Sequence, residues 1–120
     1  MKTNIIKEKS FDLAKEIVFL FQFLLMEKHE YTLSKQLLRS GTSVGANIAE
    51  GVGGQSMKDF CHCLNIAYKE ARETFFWISL LKETGYLKSE KADPVLLKCD
   101  EVIRILCAIL TTANNNSKSS

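Results

Sequence analysis

Residues 33–54 read LSKQLLRSGTSVGANIAEGVGG, and the reading of this stretch decides the fold. Leu33, Leu37, Gly41, Val44 and Ile48 recur at steps of three and four, the spacing of one helix face, although Gly41 and Gly45 fall inside the pattern. A glycine in a helix interior costs about 1 kcal/mol relative to alanine, so two of them point to another helix whose backbone passes close by. On an adjoining face Gln36, Ser40, Ser43, Asn47 and Glu50 keep the same rhythm and form a polar seam. Two readings of that seam are open. One is a hydrogen-bonded network in which Asn47 and Glu50 meet Arg39 or groups on neighbouring helices, and the other is a contact surface for a partner; the network is the preferred reading.

Working outward, the preceding segment predicts a helix over about residues 10–28, with Ser10 as its cap and Asp12 in its first turn. Residues 1–9 read as a lysine-bearing arm, helical from about Asn4. The helix carries two apolar stripes, Phe11, Ala14, Val18, Phe21, Leu25 and Leu13, Ile17, Leu20, Leu24, which is more than one neighbour can cover. Thr32 is the expected cap of the second helix, over about 32–52, and Ser56 of the third, over about 56–84. In that third helix Phe60, Leu64, Ala67, Ala71, Thr74, Ile78 and Leu81 form a heptad seam for the interior. Lys58, His62, Asn65, Lys69, Arg72, Phe76, Ser79 and Glu83 repeat the rhythm on a second, mostly polar face.

Gly85 reads as the stop of the third helix, with Tyr86 and Leu87 folding back over its end, and Lys88 to Ala92 as a charged loop. Asp93 followed by Pro94 is a start signal for a fourth helix over about 93–112, with Leu96, Cys99, Ile103, Leu106 and Leu110 as its core seam and Val95, Val102, Ile105 and Ile109 as a second stripe. The tail NNNSKSS, residues 114–120, is too polar to pack and is expected to be disordered. No stretch has strand period. The expected fold is therefore all-α, an antiparallel up-and-down four-helix bundle forming a single domain over residues 1–113. Surplus apolar surface on the first and fourth helices, with the small residues of the second, favours a homo-oligomer of closed symmetry.

With 120 residues the chain can bury one core, and 46% hydrophobic with 25% charged residues is the composition of an ordinary globular protein. A net charge of +2 neither demands nor excludes nucleic acid. The longest early apolar run, Ile17 to Met26, is half of what a membrane span needs and lacks a cleavage pattern, so a cytoplasmic protein with no membrane partner is expected. Cys61, Cys63, Cys99 and Cys107 lie within helical patterns and read as free thiols.

Catalytic signatures are weak. The run GTSVGANIA, residues 41–49, lacks the Gly-Lys-Ser/Thr ending and the preceding strand of a phosphate loop. Cys61, His62 and Cys63 are successive on a helix, about 100° apart, and cannot converge on one metal ion. His29 and His62 have no implied base or nucleophile beside them, and Glu70 with Glu73 reads as salt-bridge material. No enzyme, catalytic residue, metal or cofactor is expected.

QLLRSGTSVGANIAEG at residues 36–51, Lys58-Asp59-Phe60, IAYKEARET from Ile66 to Thr74 and LLKETGYL from Leu80 to Leu87 together resemble the bacterial four-helix-bundle family, also called the 23S rRNA intervening-sequence protein family. The likeness spans nearly all of the chain from Phe11 to Leu110. It implies a four-helix protomer assembled as a homopentameric barrel, in a family whose members are encoded within insertions in 23S rRNA genes. A similar protein, the accessory variability protein of diversity-generating retroelements, implies RNA or DNA and a reverse transcriptase as partners.

The function expected is a non-catalytic oligomeric scaffold that binds structured RNA or a ribonucleoprotein, with a pure protein-interaction scaffold as the alternative. Lys58, Lys69 and Arg72 are the leading phosphate contacts, with Arg39 and Lys35 second. Gln36, Ser43, Asn47 and Glu50 are assigned to the structural seam. Phe76, among the basic residues, reads first as a packing residue and second as a ring on which an unpaired base could stack.

Overall fold

The computed structural model describes residues 2–119, with side chains described for residues 4–116. Four helices are formed: α1 Lys2–Met26, α2 Leu33–Val52, α3 Met57–Glu83 and α4 Ser89–Ser119, with no strand among the described residues. Each packs against its chain neighbours and α4 closes against α1, giving a body of 52 × 21 × 21 Å. Leu13, Ile17 and Leu24 of α1, Leu37, Val44 and Ile48 of α2, Leu64, Ala71 and Ile78 of α3, and Cys99, Val102 and Leu106 of α4 share one core. No described helix is long and apolar enough to cross a membrane.

Gly41 and Gly45 of α2 face α1, as their cost suggested, while Gly51 faces Cys63 and Leu64 of α3. A Cβ on Gly41 would stand 2.6 Å from Ile17 Cγ2, and one on Gly45 would stand 3.4 Å from the Ser10 carbonyl oxygen. The close neighbour is backbone at Gly45 and the Ile17 side chain at Gly41.

The helix α1 starts at Lys2, a full two turns before the expected cap. Ile6 is completely buried and draws the early turns into the fold, while Ser10 is buried in mid-helix with its hydroxyl donating to the Lys7 carbonyl at 3.1 Å. Of the two apolar stripes, the one built on Leu13 is in the core; Phe11 of the other is 65% exposed. Phe19 and Met26 are exposed as well, so α1 is not central.

Thr32 makes no side-chain cap. Glu30 does this instead: its carboxylate accepts the N–H groups of Thr32 at 3.3 Å and Ser34 at 2.7 Å, and its carbonyl accepts the Ser34 hydroxyl at 2.7 Å. Burial opposes the charge on Glu30, but the N–H groups of Ser34, Leu33 and Thr32 overcome it and hold the carboxyl below its ordinary range. The sequence rule favours short capping side chains at the N-cap, and here a longer one two residues earlier reaches the same donors.

For α3 the expectations match the structure closely. Ser56 Oγ accepts the Asp59 N–H at 3.1 Å, and the seam from Leu64 to Leu81 is buried, with Phe60 partly so. Gly85 adopts φ 87°, open to glycine at no steric cost, and the N–H groups of Tyr86 and Leu87 return to the Leu81 carbonyl at 3.0 and 3.1 Å. Leu87 is buried there.

The helix α4 differs from its reading at both ends and in register. It begins at Ser89, so Lys88 to Ala92 is not a loop; the Lys88 carbonyl accepts the Ala92 N–H at 2.9 Å, and buried Ala92 anchors the turn. Pro94 lies inside the helix, removing one hydrogen bond near its start, and Asp93 pairs with Lys82 at 2.7 Å instead of capping. The buried seam is Val95, Cys99, Val102, Leu106 and Ile109, while Leu96, Ile103 and Leu110 are only partly covered. Both stripes are equally apolar, so periodicity alone could not rank them. At the far end α4 continues through residues 114–119, where disorder was expected; helix propagation adds one hydrogen bond per residue beyond Ile109. Residue 120 lies outside the described residues.

Candidate functional site

Burial of the Leu64 to Leu81 seam turns the opposite face of α3 to solvent. Lys58, His62, Asn65, Lys69, Arg72, Phe76 and Glu83 are all exposed on it, and Ser79 is half-buried. At 1.5 Å per residue, Lys58 and Lys69 stand about 16 Å apart along the axis and Lys69 and Arg72 about 5 Å apart.

Ion pairing separates the cations of the molecule into two groups. Lys98 meets Asp12 at 2.8 Å and Glu16 at 3.8 Å, Lys9 meets Glu101 at 3.1 Å, Lys82 meets Asp93, and Arg104 meets Asp100 at 2.8 Å. The hydrogen bond to Lys98 holds the Asp12 carboxyl below its ordinary value, and the same bond raises Lys98. Lys58, Lys69 and Arg72 have no carboxylate within ion-pairing distance among the described residues; Arg72 lies over the Tyr68 ring, 5.8 Å from its centroid.

The second-choice residues are placed differently. Arg39 of α2 is engaged by α3: it meets Glu70 at 2.9 Å and Glu73 with its other terminal nitrogen, and its Nε donates to Gln36 Oε1 at 3.3 Å. One guanidinium facing two carboxylates leaves no positive surplus for a phosphate. Lys35, one turn earlier on α2, is exposed and has no carboxylate partner among the described residues.

The polar seam of α2 breaks into separate bonds and is not one network: Gln36 meets Arg39, Ser40 meets Thr74, Ser43 meets Asn47, and Glu50 is exposed with no hydrogen-bond or ion-pair partner among the described residues. Ser40 is buried, and its Oγ lies 2.9 Å from Thr74 Oγ1, which in turn donates to the Glu70 carbonyl at 2.7 Å. Asn47 turns back onto its own helix, donating to the Ser43 carbonyl at 2.8 Å and Oγ at 3.0 Å; it does not meet Arg39. Every buried side-chain polar atom among the described residues has a partner. The long-range links of this seam, Arg39 to Glu70 and Glu73 and Ser40 to Thr74, join residues 31 to 34 apart in sequence, which no local pattern reveals.

Beside Lys58, an open groove of about 970 Å³ runs between α3 and α4, lined by Met57, Cys61, His62, Tyr68, Cys107 and Leu110 among others. Cys61 is half-buried, His62 exposed and Cys63 buried, three separate environments, and no metal-holding cluster occurs among the described residues. Burial raises the Cys63 thiol, helped by the nearby charges of Glu50 and Asp59, and burial pushes Cys99 up to about 12. Cys99 donates to the Ala71 carbonyl at 3.2 Å. These are core thiols, not nucleophiles.

A second open groove, about 550 Å³, separates α1 from α2 and is lined by Phe11, Ala14, Thr42, Gly45, Ala46 and Ala49 with few polar atoms. Here the sequence reading of the small-residue face is divided. Gly41 is closed off by α1, and Ala46 and Ala49 remain open to solvent.

The family model described as 23S rRNA-intervening sequence protein matches residues 2–108. Among solved structures, a crystal structure of a protein of unknown function from the S23 ribosomal protein family of Bacteroides thetaiotaomicron is similar at 45% sequence identity, with a TM-score of 0.90 over 92% of this chain and 99% of that one. No curated protein matches the chain.

Proposed function

The chain belongs to the 23S rRNA-intervening sequence protein family, and on that premise we propose that it is a non-catalytic oligomeric scaffold of the cytoplasm that binds structured RNA or a ribonucleoprotein through the outer face of α3. The observation that carries this reading is the triad Lys58, Lys69 and Arg72, left without carboxylate partners on a helix face where Glu70 and Glu73 are both drawn aside by Arg39. Free cations on one exposed face suit phosphates, each contact releasing condensed counterions. The contacts made by these cations are to phosphates and shape, and carry no sequence preference of their own.

The pairings Gly41 with Ile17 and Gly45 with Ser10, then Cys99 with Ala71 and Lys82 with Asp93, reverse direction along successive helices and support an antiparallel up-and-down bundle. Exposed Phe11, Phe19 and Leu97, with the apolar groove of α1 and α2, support assembly into a homo-oligomer, for which a pentameric barrel is the form proposed. Assembly multiplies the α3 face and lets weak single sites act together.

The same grooves favour the second reading, a scaffold whose partner is another protein, such as a reverse transcriptase, with no nucleic-acid role. Affinity for a structured RNA across a salt series separates the two. Three phosphate contacts per protomer give a slope of log affinity on log salt of about −2 to −3, and the double variant Lys69→Glu, Arg72→Glu flattens it to about −1 or less while lowering affinity. Absence of binding at low salt sinks the RNA reading and leaves the protein scaffold.

A further inference from the structure

Phe76 is 56% exposed one turn beyond Arg72, at the edge of the basic residues, so the packing role read from the sequence is not fulfilled within the chain. Its aromatic neighbour among the described residues is Trp77, at 5.1 Å between centroids and 73° between planes. Such an edge-on pair leaves more than half of the Phe76 surface exposed. The support under the ring is fixed. Trp77 Nε1 donates to Glu73 Oε2 at 2.9 Å, and Glu73 is held from α2 by Arg39, which also grips Glu70 and Gln36. An exposed ring is therefore backed by a chain of contacts that reaches a second helix.

The charges around the ring match the ring's exposure. Arg72 is one turn before Phe76 and Lys69 two turns before it, about 6 and 10 Å along the axis, and neither has an acidic partner among the described residues. Tyr68, Arg72 and Phe76 then alternate aromatic, cation and aromatic at four-residue steps, with Arg72 already over the Tyr68 ring. Glu83 is the single acid further along the stripe, two turns beyond Phe76.

We propose that Phe76 is a stacking platform for an unpaired nucleobase, with Lys69 and Arg72 holding the adjacent phosphates, so that the nucleic acid met by α3 is single-stranded or carries a looped-out base at this point. The inference rests on the proposed reading of α3 as a nucleic-acid face. A continuous duplex hides its base faces in its own stack, whereas an unpaired base offers a π-face to an aromatic ring whatever its sequence.

The test compares a single-stranded oligoadenylate, whose bases are unpaired, with a blunt RNA duplex of equal length, using the full chain and the variants Phe76→Ala, Phe76→Leu, Phe76→Trp and the Lys69→Glu, Arg72→Glu pair. Trp77 is the sole tryptophan and serves as a reporter beside the ring. Oligoadenylate is expected to bind more tightly than the duplex and to change Trp77 emission, which the duplex leaves unaltered. Phe76→Ala and Phe76→Leu lower oligoadenylate affinity about 5- to 150-fold at an unchanged salt slope, and Phe76→Trp restores it. Duplex affinity is unaffected by all three. If Phe76→Ala binds oligoadenylate as the parent does while the charge-reversed pair does not, stacking is overturned and the α3 phosphate face stands. Failure of the parent to bind either probe overturns both. A change in assembled mass on Phe76→Leu, read by sedimentation, assigns the ring to a subunit contact and overturns the proposal.

Discussion

Gly41 and Gly45 occupy the same helix, one turn apart, and replacement of each by alanine is expected to move stability in opposite directions. Both substitutions remove the conformational penalty of glycine, a gain of about 1 kcal/mol in a helix interior. At Gly45 the added methyl would meet the Ser10 carbonyl oxygen at 3.4 Å, an ordinary contact, so most of that gain is kept. At Gly41 it would meet three atoms of Ile17, at 2.6, 2.7 and 3.0 Å, and the last of these is Cβ, which no rotamer change removes. Ile17 is itself fully buried. Overpacking of this kind costs about 1 to 3 kcal/mol, so Gly41→Ala comes out destabilised by up to about 2 kcal/mol while Gly45→Ala is stabilised by up to about 1. A separation of about 2 kcal/mol corresponds to roughly 8 °C in melting temperature for a chain of this size. Urea unfolding followed by far-UV circular dichroism, at one fixed protein concentration so that the proposed assembly does not alter the comparison, measures it. Equal stabilisation of both variants would refute the close approach of α1 and α2 at Ile17. Partial rescue of Gly41→Ala by Ile17→Val would place the strain on that side chain.

The Asp12 and Lys98 pair gives stability two pH limits. Asp12 is lowered in the fold, so its contribution is complete above its unfolded value of about 3.8 and is lost as pH falls through the lower folded value; Lys98 is raised, so its contribution is complete below about 10.5 and is lost as pH climbs through the higher folded value. Lys98→Met should therefore flatten both the acid and the alkaline limbs of a stability-versus-pH curve, modestly, because both side chains are partly solvated. Among the cysteines, exposed Cys107 should be alkylated first, followed by half-buried Cys61, with Cys63 and Cys99 protected until unfolding; native-state labelling read by mass spectrometry checks the order, and early modification of Cys99 would contradict its burial.

What could be read from the sequence divides by the range of the interaction. The α3 seam, the Ser56 cap and the Gly85 stop rest on residues within a few positions of one another, and the structure reproduces them. The start of α4 failed for an instructive reason. Asp93 and Pro94 form a sound local signal, but burial of Leu87 and Ala92 and the bond from Lys82 to Asp93 carry the helix back to Ser89, a tertiary influence over a modest capping preference. Glu30 replaced Thr32 because a longer carboxylate reached the same N–H groups. At the site, rhythm alone put Lys58, Lys69 and Arg72 on one outer face. It could not tell which cations were neutralised, since Arg39 finds its acids more than thirty residues away, nor that Phe76 was left uncovered.

The Glu30 corner also bears on the proposed assembly. Its side chain and its own carbonyl both bind the first turn of α2, its N–H donates to Leu24 near the end of α1 at 3.0 Å, and His29 beside it is bent to φ 52°. A joint tied on both sides by one residue resists straightening, and straightening is what an exchange of α1 between two molecules would require. The assembly proposed above would then join folded copies surface against surface, without the trading of a helix.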